Sequence, residues 1–234
     1  MTHFRSLLSA FFVAVGILVC VESRSQVSDV TKIGGMGTGS IGIARTGQFT
    51  ELTTNNNFYH PISDLRGTFA GIWTETAGKK FAAALQTNSA KVLPAIQKIQ
   101  MTPRAGIVDL VFTDPNMPVS VRVRAFSPII PYDLKNSNLP TMLYVITVKN
   151  DLRAPVSVAT TFSFENTVGV GGNFAKGEFS DRTGNTVKTL APKNGLFGME
   201  MKRPARQIND PTTRLEYNAN GDYTLLAAPP TPDS

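Results

Sequence analysis

Residues Val119–Phe126 read VSVRVRAF and alternate apolar and polar side chains from Val119 to Ala125. Successive side chains of a β-strand point to opposite faces of a sheet. The odd-numbered residues therefore predict a buried face, and the even-numbered residues, two arginines among them, predict a solvent-facing side. Residues 156–165 alternate in the same way and predict a strand whose even-numbered residues, from Val156 to Phe164, pack on a core.

Six further short stretches are rich in β-branched or aromatic residues and are predicted to be the partner strands: 68–75, 81–86, 107–112, 143–149, 196–201 and 223–227. Turn residues separate several of them, and segments 114–118 and 149–155 are both predicted to be hairpin connections. Residues 89–100 are predicted to form a loop or one helical turn, because Pro94 would interrupt a longer helix. The pattern predicts an all-β fold, an antiparallel β-sandwich with little helix.

Composition and charge are those of an ordinary globular domain. The chain has 234 residues, 41% of them hydrophobic and 17% charged, with 23 Lys and Arg against 17 Asp and Glu. The resulting charge of +6 is spread singly along the sequence without a basic run. This distribution argues against a nucleic-acid partner and leaves open contact with an anionic membrane surface or polysaccharide.

The N-terminus has the pattern of a secretory signal peptide. Arg5 precedes an apolar run, residues 7–21, that is shorter than the roughly 20 residues needed to span a bilayer. Cleavage is expected after Ser23 or Ser25, and the mature chain is expected to be secreted or periplasmic without a stable membrane anchor. An uncleaved anchor helix is the alternative; a lipoprotein is disfavoured because Val19 precedes Cys20.

The expected organisation is a signal peptide at 1–23, a flexible N-terminus at 24–33, a β-sandwich at 34–227 and a disordered, proline-rich tail at 228–234. Cleavage removes Cys20 and His3, which leaves His60 and no thiol. Disulfides, cysteine nucleophiles and Cys/His zinc sites are therefore not expected, and no cofactor is predicted.

Candidate chemical motifs have weak support in the sequence. Residues 37–42 satisfy G-x-G-x-x-G, but the buried strand before it and the helix after it that dinucleotide binding needs are missing, so the glycines are predicted to serve backbone packing. His60 has no Gly-x-Ser-x-Gly nucleophile elbow nearby. Trp73 alternates with Phe69 and is predicted to lie on a core or interface face rather than to stack on a sugar.

Paired carboxylates would be needed for glycoside hydrolysis. Glu178 and Asp181 lie in a glycine-rich loop, and Asp133 and Glu165 flank strands. Both pairs have the setting of turn and surface carboxylates. The sequence therefore predicts no catalytic, cofactor-binding or metal-binding residue.

Three segments together resemble one known family. The first is GGMGTGSIG (34–42) followed by GQF (47–49), the second is RAFSPIIPYDLKNSNLP (124–140), and the third is YVITVKN (144–150) leading to FSFEN (162–166). In this order they resemble the N-terminal domain of glycoside hydrolase family 116, which includes non-lysosomal glucosylceramidases (bile-acid β-glucosidases) and bacterial β-glucosidases. The middle segment is the most specific, and the resemblance runs from Gly34 to Ala227.

The resemblance implies a β-sandwich that packs against a larger C-terminal (α/α)6 domain carrying the nucleophile and the acid/base carboxylates. The matching positions belong to the sandwich, so no catalytic residue is implied here and the chain alone is predicted to be inactive. The catalytic domain, in cis or as a separate chain, is the expected partner, with a glycan as a further ligand. Because mammalian members lack a signal peptide, export favours a bacterial relative. The rival hypotheses are a free-standing secreted module that binds carbohydrate or protein, and an unrelated adhesive β-protein.

Overall fold

The computed structural model describes residues 29–53, 61–63, 65–90, 92–170, 182–203, 207–209, 216–218 and 221–231. The expected signal peptide lies outside these residues. The described strands are β1 Val30–Gly35, β2 Gly39–Ala44, β3 Phe49–Thr50, β4 Phe69–Thr76, β5 Lys79–Ala84, β6 Lys98–Arg104, β7 Ile107–Thr113, β8 Val119–Phe126, β9 Leu143–Asn150, β10 Ser157–Ser163, β11 Thr186–Lys193, β12 Leu196–Arg203, β13 Gln207–Asn209, β14 Glu216–Asn218 and β15 Gly221–Ala227. In this part of the chain the one α-helix is the short α1, Leu134–Ser137.

The strands pair antiparallel in five sheets: β1-β2-β3, β10-β4-β5, β6-β7-β8-β9, β11-β12-β15 and β13-β14. This confirms the all-β antiparallel fold with little helix. Among the described residues no helix is both long and apolar enough to cross a bilayer. Residues 228–231 follow β15 without a strand.

Strand β8 has the bounds and the faces that its sequence predicts. Its odd-numbered residues are buried and most of its even-numbered ones are exposed. Val121 pairs with Phe112 of β7 and Val148 of β9, so the buried side continues across three strands. One hydrophobic core includes residues of the sheets β1-β2-β3, β10-β4-β5 and β6-β7-β8-β9, such as Ile43, Ile72 and Val121. Packing of several sheets on one core is the sandwich arrangement.

Three aromatic rings join these three sheets inside the core. Phe49 of β3 lies 5.6 Å from Tyr144 of β9 and 5.4 Å from Phe162 of β10, and Tyr144 lies 5.2 Å from Phe162, measured between ring centroids. Tilted and edge-on contacts at these distances are favourable for aromatic pairs. Burial raises the pKa of the Tyr144 hydroxyl, since the ionised form would lose its hydration.

Two expectations about β10 are wrong. Segment 149–155 is not a hairpin connection, because β9 pairs with β8 while β10 pairs with β4 in another sheet. The Asn150 side chain orders this crossing by donating to the Ala154 carbonyl and accepting from the Leu152 amide. The even-numbered residues of β10 are also less buried than the alternation predicts. Phe162 packs on the core, but Val158 is exposed because β10 is an edge strand.

Segment 114–118 is the predicted hairpin connection between β7 and β8. Residues 89–90 and 92–97 are mainly loop, as expected, and contain isolated bridges, one of which joins Ala84 to Ala95. The loop ends earlier than expected, since β6 begins at Lys98.

Candidate functional site

The candidate catalytic residues are not assembled into a site by the described structure. Glu178, Asp181 and His60 lie outside the described residues. Asp133 follows β8 and Glu165 follows β10, and each has its own local partners. A groove of 470 Å³ beside β3 is lined by described residues that include Arg66 and no carboxylate.

Glu165 has a structural setting. Its Oε1 binds Arg182 and its backbone amide donates to the Thr68 hydroxyl, whereas its Oε2 is buried with no hydrogen-bond partner among the described residues. Gly67 leaves room for this side chain, because a Cβ there would lie 3.2 Å from the Glu165 Cγ. These contacts tie the end of β10 to the start of β4.

The G-x-G-x-x-G segment forms the turn and second strand of the β1–β2 hairpin. Gly37 occupies the turn with φ +76°, and residues 39–42 enter β2 rather than a helix. The helix N-terminus that would hold a pyrophosphate is therefore not formed here. This agrees with the packing role predicted for these glycines.

Trp73 is partly buried on the face of β4 opposite the core residue Ile72. Phe69 lies on the same outward face, where it packs with Ala84 and Ala90 and with the partly buried Leu93. Trp73 thus shares its face with a small apolar cluster, in accord with the predicted core or interface setting.

An exposed apolar surface lies between β8 and β9. Residues 127–141, here called the apolar loop, expose large hydrophobic side chains, and the start of β9 continues them: Ile129, Ile130, Tyr132, Leu134, Leu139 and Leu143. Tyr132 is fully exposed and has φ +66°, an uncommon conformation for a residue with a Cβ. Clustered exposed apolar groups of this kind mark interaction surfaces.

Buried hydrogen bonds hold this loop in shape. Ser137 is 1% exposed, and its hydroxyl accepts from the Ile130 amide at 2.9 Å and donates to the Ile130 carbonyl at 3.1 Å. The Ser127 hydroxyl donates to the Thr141 carbonyl and closes the base of the loop. The exposed side chains therefore project from an ordered backbone.

Asp133 begins α1 as its N-cap. Its carboxylate accepts from the Asn136 amide at 3.0 Å and from the Asn136 side-chain amide. These bonds favour the ionised form and lower the pKa of Asp133. The role is that of a cap, and it gives the carboxylate no catalytic partner.

The apolar loop also rests on the β1–β2 hairpin. The Met36 amide donates to the Ser137 carbonyl at 2.9 Å. A Cβ on Gly35 would lie 2.5 Å from the Leu139 carbonyl oxygen, so the glycine permits this approach. Met36 is half-exposed beside the loop and extends its apolar surface.

The outer face of the β6-β7-β8-β9 sheet adjoins the loop. Ile129 lies against the β6–β7 turn, where a Cβ on Gly106 would be 2.6 Å from its Cδ1. Strand pairing places these residues on the outer face, in rows running away from the loop: Arg104, Ile107, Phe126 and Leu143; Thr102, Asp109, Arg124 and Val145; Gln100, Val111, Arg122 and Thr147; and finally Lys98, Thr113, Ser120 and Lys149. The face therefore carries five basic side chains and one acidic side chain.

The family model described as beta-glucosidase 2, glycosyl-hydrolase family 116 N-term, matches residues 31–233. The chain belongs to this family. A comparison with curated proteins finds no match. Domains of this family accompany a catalytic domain, and the 234 residues contain no catalytic domain.

The family 116 domain brings together segments that are remote in sequence. The glycine-rich segment and the apolar loop contact each other through Met36 and Ser137, and Phe49 and Tyr144 join the first segment to the third in the core. The sequence resemblance rests on these segments, but it does not predict that the glycine-rich hairpin and the apolar loop share one surface. The signal in the sequence for an exposed apolar loop is the pair Ile129-Ile130, which does not alternate with polar residues and is followed by Pro131.

Proposed function

We propose that this family 116 domain is an exported, non-catalytic β-sandwich that supports a (α/α)6 glycosidase domain, and that the apolar loop is its docking surface. The observation that carries the proposal is an exposed apolar surface on a backbone held by buried hydrogen bonds. A preordered surface loses little conformational entropy on binding. Exposed apolar side chains supply the buried centre that stable interfaces need.

The first experiment measures binding of the mature chain, residues 24–234, to a family 116 β-glucosidase catalytic domain expressed without its own N-terminal domain. Tyr132→Ala is expected to weaken binding by about 2 kcal/mol, or roughly 30-fold, as for a central aromatic contact. Val92→Ala is the control, because Val92 is 74% exposed and belongs to the segment between β5 and β6 rather than to the apolar loop. Equal binding by wild type, Tyr132→Ala and Val92→Ala would show that the loop is not the docking surface.

Support of catalysis is measured as hydrolysis of an aryl β-glucoside by the mixture and by each part alone. We expect the mature chain alone to release no sugar beyond the level of a variant that combines Glu178→Gln, Asp181→Asn and Asp133→Asn. We expect it to raise the activity or the thermal stability of the catalytic domain. Hydrolysis by the chain alone that this variant abolishes would refute the non-catalytic role.

Export is tested by expressing the full chain and sequencing the N-terminus of the secreted product, which is expected to begin at Arg24 or Gln26. Reading the gene beyond the codon for Ser234 distinguishes a catalytic domain in cis from one on a separate chain. The competing proposal, a free-standing binding module, is supported if the chain does not bind the catalytic domain, stays monomeric and binds a glycan saturably.

A further inference from the structure

We infer that the outer face of the β6-β7-β8-β9 sheet is a second contact surface for the same catalytic domain, and that it binds an acidic patch on that domain. This inference rests on the proposed function and adds the chemistry of the partner. Three observations carry it: the charge of the face, the unequal pairing of its arginines and its continuity with the apolar loop.

The charge of the face is one-sided. Lys98, Arg104, Arg122, Arg124 and Lys149 share it with Asp109 as the one acidic residue. Lys149 also meets Asp151 at the rim of the sheet, at 2.7 Å. A basic surface attracts acidic partners and repels basic ones, and this selects among partners and speeds association.

The arginines of the face are not fully paired within the domain. Arg104 and Arg124 both bind the carboxylate of Asp109, so two guanidinium groups share one acid. Within the described part of the chain, the Arg122 side chain has neither an ion pair nor a hydrogen bond. Guanidinium groups present several donors in a fixed plane that matches carboxylates. Among the described residues, therefore, nothing occupies the Arg122 guanidinium donors that a partner carboxylate would need.

The face is continuous with the proposed docking loop. The row of residues closest to the loop contains Ile107, Phe126 and Leu143, and Ile129 of the loop lies against the adjacent Gly106 turn. The same row contains Arg104, and the next two rows contain Asp109, Arg124 and Arg122, so charged groups border the apolar side chains near the loop. An apolar centre bordered by charged groups is the usual arrangement of a protein–protein interface. This continuity favours a protein partner over an anionic membrane or glycan.

The test measures how the affinity for the separately expressed catalytic domain depends on salt, using the mature chain and three variants. Arg122→Glu is expected to weaken binding about tenfold at low ionic strength and to flatten the salt dependence. Lys79→Glu makes the same charge change on an exposed residue of another sheet, and it is expected to leave binding within about twofold of wild type. Arg122→Lys is expected to retain the salt dependence while losing part of the affinity.

The outcomes separate this inference from the proposed function. If wild type binds and Tyr132→Ala weakens binding, but Arg122→Glu behaves like Lys79→Glu, the basic-face inference is overturned and the proposed function stands. If wild type does not bind the catalytic domain, both fail. Vesicles with and without phosphatidylglycerol serve as the second probe. Arg122-dependent binding to the anionic vesicles, together with Arg122-independent binding to the catalytic domain, would assign the face to a membrane and overturn the inference.

Discussion

Ser137→Ala tests whether buried hydrogen bonds hold the apolar loop in its docking shape. The change removes the hydroxyl that accepts from the Ile130 amide and donates to the Ile130 carbonyl. Ser137 is 1% exposed, so water cannot readily replace these bonds. Two hydrogen bonds of about 1 kcal/mol each predict a loss of about 2 kcal/mol, within a range of roughly 1–3 kcal/mol.

The assay is amide hydrogen exchange together with binding to the catalytic domain. A loss of about 2 kcal/mol predicts roughly 30-fold faster exchange at Ile130 and Asp133, whose amides are bonded inside the loop, and at Met36, which donates to Ser137. Exchange at Val121 in the core strand is expected to change less. Binding is expected to weaken although no exposed apolar atom has been removed.

Thr141→Ala is the control, because Thr141 is an exposed residue of the same loop. The reasoning is refuted if Ser137→Ala leaves the exchange at Ile130 and the unfolding free energy within about 0.5 kcal/mol of the control, the range of ordinary surface substitutions. In that case the loop is ordered by something other than the Ser137 hydroxyl.

Three further predictions concern the core, a turn and pH. Ile43→Ala, at a fully buried position, is expected to lower the free energy of unfolding in urea by about 2–5 kcal/mol. Ile130→Ala, at a half-exposed position, is expected to lower it by less than about 1 kcal/mol and to weaken docking instead. Gly47→Ala is expected to lower the unfolding free energy by about 1–3 kcal/mol, because Gly47 has φ +80° and a Cβ would lie 2.6 Å from the Leu85 carbonyl oxygen; equal thermal midpoints would contradict this. The pKa of Asp133 is lowered in the folded state, so its cap contributes stability above the ordinary value of 3.8 and loses it as the pH falls through the lowered pKa. The protection of the α1 amides, measured against the intrinsic exchange rate at each pH, is expected to fall there, and Asp133→Asn should abolish this pH dependence.

Regular alternation made part of the fold predictable from sequence. Strand β8 could be placed to the residue because four apolar side chains face one core without interruption. The hydrophobic pattern does not predict strand β2. Ile41 and Ile43 are both buried, but Gly39 and Gly42 interrupt the alternation of apolar and polar side chains around them. Glycine has no side chain to show which face it occupies, so the hydrophobic pattern weakens although the strand forms.

The turn residues that follow β11 predict a hairpin at this point of the chain. Asn194-Gly195 joins β11 to β12, with φ values of +52° and +76°. Asn-Gly between two extended segments is a strong hairpin signal, because both residues tolerate positive φ. The strand itself is almost wholly exposed and therefore lacks the alternating burial on which sequence reasoning relied.

The apolar loop could not be predicted as a surface by the same reasoning. Large apolar residues are usually inside, so their composition alone gives no reason to expect Ile129 and Ile130 on the surface. In the fold, the small residues of this region take the interior positions instead: Ser137 is buried beneath the loop, and Gly35 lets the Leu139 backbone rest on the β1–β2 hairpin. The large side chains are left outside because polar backbone bonds occupy the inside.

This inversion explains why the glycine-rich β1–β2 hairpin and the apolar loop act as one unit. A loop that buried Ile129 and Ile130 would be stabilised by its own core and would need no partner. In this loop the Ser137 hydroxyl and backbone amides occupy the interior, so the apolar side chains remain available for a partner. Their exposure to water is unfavourable. Covering the loop with another apolar surface removes this unfavourable exposure. The adjoining basic face then determines which surface that is, because an acidic border on the partner satisfies Arg122 while the apolar side chains are buried.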